Sequence, residues 1–301
     1  MNLRELPSPL RIYWDLPDSL ADSALCRRIC REIIETKMLF LSLRDSASAE
    51  GCSCKEVLDA LKGDSIGISL TLPGSSATRS FLGGLSGSAV TTLLIDTSSL
   101  SEVLSFFEKR GPCGQGELTP GVSFANCRQN YPEIPGVVSF CLQRGIYDLV
   151  FPIQRLGTDE EAAYLEHEGG NELSAKLRAM DYSSMRITIH DPFLWQIFYP
   201  EADYHEGGCQ AANSMLYLSR DYKVYPCPAM PLELGDLRET TLGEIISSAK
   251  KRELRRSLLI PPDDCAPCPQ ADKCLGGCRG RALASAGSLD RRDPACGCIL
   301  S

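Results

Sequence analysis

The residues best equipped for chemistry are cysteines, and they gather towards one end. Residues 265 to 278 read C-A-P-C-P-Q-A-D-K-C-L-G-G-C, placing Cys265, Cys268, Cys274 and Cys278 at C-x2-C-x5-C-x3-C spacing. Cys209 and Cys227 precede this run, and Cys296 and Cys298 follow it. A C-x2-C pair turns both sulfurs towards one point, and further thiolates at short intervals complete a tetrahedral or cuboidal metal site. Gly276 and Gly277 let the backbone pass close beside such a group, because no Cβ stands in the way. A lone C-x2-C would be read as a zinc knuckle or as buried cysteines. Eight cysteines in one correlated block point to more than that.

The rest of the composition bounds the class. The chain has 301 residues, 43% hydrophobic and 23% charged, enough for a real core in one or two domains. A net charge of −8 argues against nucleic-acid binding, which needs a basic footprint. The basic run from Lys250 to Arg256 reads as a solvated helix face. No segment approaches the ~20 apolar residues of a membrane span, and the N-terminal residues lack a signal-peptide core. A cytoplasmic protein is expected. There, fifteen cysteines point to metal rather than disulfides.

Elements to position the cysteines alternate along residues 8 to 190. Short apolar stretches at 10–15, 38–43, 66–72, 92–95, 121–124 and 149–153 read as strands. Helical stretches lie between them. Ser99 with Glu102, and Thr158 with Glu161, fit capping boxes, with Gly111 as a stop signal. Such alternation predicts an α/β fold with a parallel sheet. A last strand is expected at 185–190, with Pro192 ending regular structure, and Gly169-Gly170 breaking a helix. His190 and Asp191 either face the mouth of the sheet or close ordinary strand-end hydrogen bonds. Gly83 to Gly87 lacks the Lys-Ser/Thr of a phosphate loop and reads as a turn. Thr241 and Glu244 form a capping box that opens one helix through Leu259, closed by Pro261-Pro262.

Several of these features together resemble a known family. Tyr225-Pro-Cys227-Pro, the segments 234–238 and 240–245, the four-cysteine run and Asp293-Pro-Ala-Cys296 resemble a SPASM domain, the C-terminal module of many radical SAM peptide-modifying enzymes. The resemblance implies a partial (β/α)6 barrel over residues 1–195 and a SPASM iron-sulfur domain over 196–301. It also implies two auxiliary 4Fe-4S clusters with interleaved ligands. Cys209, Cys227 and Cys278 would hold the first; Cys265, Cys268, Cys274 and Cys296 the second, with Cys298 as runner-up for the last place. Two departures stand out. The family hairpin turns on Asp-Gly, where this chain has Asp221-Tyr222; Tyr disfavours φ > 0, so a different turn is expected. Where some members carry an extra cysteine before the position of Cys209, this chain offers Asp203 and His205.

Radical SAM enzymes also place C-x3-C-x2-C after their first strand, holding the cluster that binds S-adenosylmethionine. Here Cys26 and Cys30 keep the x3 spacing, but Ile33 stands third and the segment reads as a helix. The second strand ends in Leu43-Arg44-Asp45 instead of a G-G-E-P-type turn. Binding of S-adenosylmethionine is therefore not expected. The resemblance is greatest to the SPASM protein of GeoRSP peptide-maturation systems. It implies a non-catalytic accessory to a separate, complete radical SAM/SPASM enzyme and its precursor peptide. Two alternatives remain open. One is a divergent radical SAM enzyme using Cys26, Cys30 and Cys52 or Cys54; the other is a zinc-stabilised interaction module. Cys113, Cys127 and Cys141 read as isolated, core-lining residues.

Overall fold

The fold is described from a computed structural model, covering all residues except 1–4, 19–22, 47–53, 86, 111–117, 156–166, 203, 205–206 and 297–301, with the side chains of 167–171 also left aside. Seven strands alternate with helices: β1 (Arg11–Asp15), β2 (Phe40–Arg44), β3 (Gly67–Pro73), β4 (Val90–Thr97), β5 (Gly121–Phe124), β6 (Asp148–Phe151) and β7 (Arg186–Ile189). The C-terminal third adds β8 (Met215–Leu218), β9 (Lys223–Tyr225) and β10 (Gly235–Asp236). Helices α1 (Ser23–Glu35), α2 (Cys54–Ala60), α3 (Arg79–Gly84), α4 (Leu100–Arg110), α5 (Ile134–Arg144) and α6 (His167–Arg178) link the strands. Beyond β7 lie α7 (Pro192–Phe198), α8 (Leu242–Ile246), α9 (Ala249–Leu258), α10 (Ala271–Cys274) and α11 (Arg279–Ala286).

All ten strands share one sheet, ordered β10-β9-β8-β1-β2-β3-β4-β5-β6-β7. From β8 to β7 every pairing is parallel, as helical crossovers require. Strands ~4.8 Å apart would put β1 and β7 nearly 30 Å from each other in a flat sheet. Yet the Tyr13 hydroxyl lies 3.2 Å from Nε2 of His190, the residue after β7. The sheet therefore curls upon itself and encloses a lumen.

The hydrophobic core is a shell on the outer face of this curl. Ile12, Trp14, Leu41, Leu43, Ile68 and Leu70 meet α1 and α2 there, while Val122, Phe124, Leu149 and Phe151 meet α4 to α7. Alternate residues face the lumen, as the two-residue period of a strand dictates.

Some local expectations fail for identifiable reasons. The helix predicted from Thr241 to Leu259 divides in two, because Ser248 Oγ accepts from Lys251 N and starts a new helix. The capping box at Thr241 and Glu244 is present. At Ser99 only half of one forms: Ser99 Oγ accepts from Glu102 N, while the Glu102 carboxylate turns to Ser98 N. Pro192 ends the strand but opens α7 at its first turn, where a missing N–H costs nothing. Helix α6 runs through Gly169-Gly170, and Gly83-Gly84 form the last turn of α3. Tyr222 does take φ +63 in the β8–β9 hairpin. Its ring packs against the main core and its carbonyl accepts from Leu237 N, which offsets the roughly 1–2 kcal/mol of left-handed strain. Gly111, Thr158, Glu161, Cys52 and Cys113 lie outside the described residues.

Candidate iron-sulfur site

Loops at one end of the β8–β9 hairpin bring the cysteines together in two groups. Cys209 precedes β8, Cys227 follows β9, and Cys278 is the N-cap of α11; all three pack in one small buried cluster with Ala211, Ala229 and Leu258. Burial, then the neighbouring Cys209 and Cys278, push the Cys227 thiol well above its ordinary value. Burial raises Cys278 to about 12, with Cys209 again among its neighbours. The second group lines a single recess: Cys265, Cys268, Cys274 and Cys296, with Phe193, Tyr204 and Asp293. Cys265 is raised by burial and then by Cys296 and Cys268; Cys274 reaches about 11, chiefly through burial. Among the described residues, no three Cys, His, Asp or Glu side chains converge tightly enough for one metal ion. A tetrahedral zinc ion would need its thiolates about 4 Å apart, given metal–sulfur bonds of about 2.3 Å. Cys298, Asp203 and His205 lie outside the described residues.

Backbone geometry aims donors at these sulfurs. Cys227 accepts from the N–H groups of Ala229 and Met230, Cys274 from Gly276 and Gly277, and Cys278 from Arg281. Such bonds favour the thiolate form that iron requires. Gly277 takes φ +71, and a Cβ there would meet Asp293 Cβ at 2.8 Å. At Gly280 a Cβ would lie 2.3 Å from the Ala229 carbonyl oxygen, against the loop that serves Cys227.

Three buried arginines thread between the groups, none of which the motif reading singled out. Arg255 belongs to the basic run expected to be solvated, yet it and Lys251 are buried. Its guanidinium donates to the carbonyls of Cys209 and Gly207. Arg279 donates through Nη1 to the Ile260 and Leu275 carbonyls at 2.9 and 3.0 Å, and its buried Nε has no acceptor among the described residues. Among the thiols whose charge bears on Arg279 are Cys209 and Cys265, one from each group. Asp290, itself exposed, lies 4.0 Å from Arg279 Nη2, and an anionic centre at either group would add to that compensation, so the donor set suits a thiolate-ligated cluster. Arg281 joins Asp293 through Nε at 2.7 Å and Nη2 at 2.8 Å, and also pairs with Asp191. Asp293 in turn accepts from Cys278 N at 2.7 Å and Ala295 N at 3.0 Å, and Cys296 N donates to its carbonyl. One carboxylate thus ties a loop of each group to the end of β7. Asp191 also caps α7, accepting from Phe193 N and Leu194 N.

The N-terminal cysteines are placed differently. Cys26, Cys30 and Ile33 all point from α1 into the outer core, where Cys54 is also buried. Cys141 is a core residue and Cys127 a half-buried wall of the lumen. Inside, the lumen is a cavity of about 660 Å³. Ion pairs cross it: Arg44 with Asp96, and Arg155 with Asp15 at 2.5 and 2.6 Å. Tyr217 of β8 adds a hydrogen bond to Asp15 at 3.0 Å.

Comparison with known proteins agrees with this picture. The chain is 34% identical over 89 residues to a PqqA peptide cyclase of Granulibacter bethesdensis, covering 28% of this chain and 24% of the relative. It is 33% identical over 92 residues to an AdoMet-dependent heme synthase of Methanosarcina barkeri, covering 30% and 25%. The chain thus spans about a quarter of the length of these curated relatives. The crystal structure of Streptococcus suis SuiB superposes over 98% of this chain and 78% of its own, with TM-score 0.69 and 16% identity. Native anSMEcpe with bound AdoMet superposes over 95% and 94%, with TM-score 0.65 and 16% identity. These likenesses show the parallel α/β fold of radical SAM enzyme structures. Residues 209–269, which carry Cys209, Cys227, Cys265 and Cys268, match the SPASM family, an iron-sulfur cluster-binding domain.

Proposed function

We propose that this chain is a non-catalytic iron-sulfur accessory protein of a peptide-modification system in the cytoplasm. It would work beside a separate, complete radical SAM/SPASM enzyme of the GeoRSP kind, relaying electrons or presenting the precursor peptide. Cys209, Cys227 and Cys278 would hold one 4Fe-4S cluster, and Cys265, Cys268, Cys274 and Cys296 the other. Cys298 is the runner-up for the last ligand. When bound, such clusters supply one-electron transfer at a potential set by burial and hydrogen bonds to sulfur. The chain's own part is to hold the sulfurs under backbone N–H groups and to offset their charge with buried guanidinium groups. The peptide context is supported by the PqqA peptide cyclase among the relatives.

The observation that carries the non-catalytic reading is α1. After β1, the cysteines at x3 spacing are buried on a helix, beside Ile33 in the third place, and face the outer core instead of the lumen. Strand β2 ends in Arg44, tied to Asp96, and the next residue, Asp45, accepts from Cys54 N.

Anaerobic reconstitution followed by iron and sulfide analysis tests the metal content. About eight irons with matching sulfide are expected from two four-iron clusters. Stoichiometric zinc without sulfide would instead establish an interaction module. Incubated with S-adenosylmethionine and a strong reductant, the loaded protein should form no 5′-deoxyadenosine above background. Cleavage that Cys26→Ala and Cys30→Ala abolish would make the chain an enzyme.

A further inference from the structure

Closed barrels of parallel strands fill their interiors with branched aliphatic side chains. This lumen does not. Five strands present Ser42, Ser69, Thr71, Thr92, Ser123 and Thr188 to it. Small hydroxyl residues leave a cavity of about 660 Å³, within the range of about 300–1,000 Å³ that holds small molecules.

Charge in the lumen is nearly balanced. Arg44 pairs with Asp96, Arg155 with Asp15, and Arg186 with Asp148. Arg11, at the start of β1, is the exception. Among the described residues it has no carboxylate partner. It donates to Ser42 Oγ at 3.2 Å and lies over the rings of Phe40 and Tyr13, at 4.9 and 5.8 Å. His190 adds no second positive charge, since burial and Arg11 lower the imidazole to about 4. The result is one guanidinium, stiffened by two aromatic faces, in a cavity otherwise rich in neutral hydroxyls.

We propose that the lumen binds a polar organic carboxylate, seated on Arg11 and surrounded by these hydroxyls. Among the described residues a single excess positive charge remains, and it matches one carboxylate. A phosphate dianion would leave a charge over, and phosphate sites usually add lysines or a nest of backbone N–H groups. The planar fork of arginine can meet both carboxylate oxygens at once. This inference stands on the lumen alone and not on the cluster assignment, so iron analysis and ligand binding can fail separately.

The test is calorimetry on the full-length, cluster-loaded protein, with iron content checked in each sample. The probes are N-acetyl-Ser-Ala-Ser as free acid, the same peptide as amide, lactate, and inorganic phosphate. The acid should bind at least about tenfold more tightly than the amide, the usual scale for one charge-assisted contact. Arg11→Met should erase that preference. Should that variant not fold, Arg11→Lys, which keeps the charge without the fork, should weaken it. Tighter binding of the tripeptide acid than of lactate marks a peptide end as the source, and the reverse marks a small hydroxy acid; both support the site. Equal binding of acid and amide, no binding at millimolar concentration, phosphate as the tightest probe, or an unchanged preference in Arg11→Met would each overturn it.

Discussion

Asp293→Asn is the sharpest test of how the cluster loops are held. Asp293 is buried and accepts four hydrogen bonds, from Cys278 N, Ala295 N and two nitrogens of Arg281. Burial alone would depress the Arg281 guanidinium, yet Asp191 and Asp293 hold it well above its ordinary value. Breaking one partner of a buried ion pair costs about 3–5 kcal/mol. Arg281 keeps Asp191, which argues for the lower end of that range. The amide cannot replace both oxygens as acceptors, so a backbone N–H or a guanidinium N–H loses its partner, at about 1–3 kcal/mol. A loss of roughly 4 kcal/mol follows, a large part of the roughly 5–15 kcal/mol of a typical domain. The assay is anaerobic urea unfolding of the loaded protein in a double-mutant cycle with Arg281→Met. Removing both partners should cost less than the sum of the single changes by about 2 kcal/mol or more. Iron should fall at both cluster sites, because the Asp293 carboxylate anchors Cys278 N on one side and Ala295 N, directly before Cys296, on the other. A single-variant loss under about 1 kcal/mol, or strict additivity in the cycle, would refute the reasoning.

Two further outcomes are expected. Replacing Cys268 and Cys274 by Ala should remove about half the iron and leave the signal of the other cluster, while Cys227→Ala should do the reverse; loss of all iron from either change would mean that the two sites fold as one unit. His190 titrates at about 4 when folded, through burial and then Arg11, against an ordinary 6.5. Its folded pKa is depressed, so the unfolded chain takes up the proton first. That contribution is intact above pH ~6.5 and is lost as pH falls towards ~4. Urea midpoints of His190→Gln should therefore decline less than those of the native protein over that window, and parallel declines would contradict the placement of His190.

The parallel strands were legible because each is a short, largely apolar run between turn signals, and every strand anticipated through residue 190 is present. The grouping of the cysteines was not legible from spacing alone. Cys209, Cys227 and Cys278, which share one small cluster in the fold, span 69 positions, and only the family resemblance grouped them in the sequence. Local rules failed where a distant partner decided the outcome. Arg255 looked solvated because its acceptors, the carbonyls of Gly207 and Cys209, lie almost fifty residues earlier. Tyr222 tolerates a left-handed turn because its ring reaches the core. Ser248 did carry a readable capping signal within the predicted helix. So did the lumen: Ser42, Ser69, Thr71 and Ser123 are polar positions at the two-residue period of otherwise apolar strands.

The same topology makes the lumen and the cysteine loops structural neighbours. The hairpin that runs from Cys209 to Cys227 contributes β8, and β8 pairs with β1, setting Met215 opposite Arg11 and Tyr217 opposite Tyr13. Tyr217 reaches Asp15 at the end of β1, which Arg155 also holds. Pro228, directly after Cys227, lines the cavity. A sheet curled this far but unpaired between β1 and β7 has a seam, and the hairpin covers its β1 side. The cysteine-bearing end therefore supplies part of the wall around the lumen. Any ligand on Arg11 would rest one strand away from the hairpin that positions Cys227.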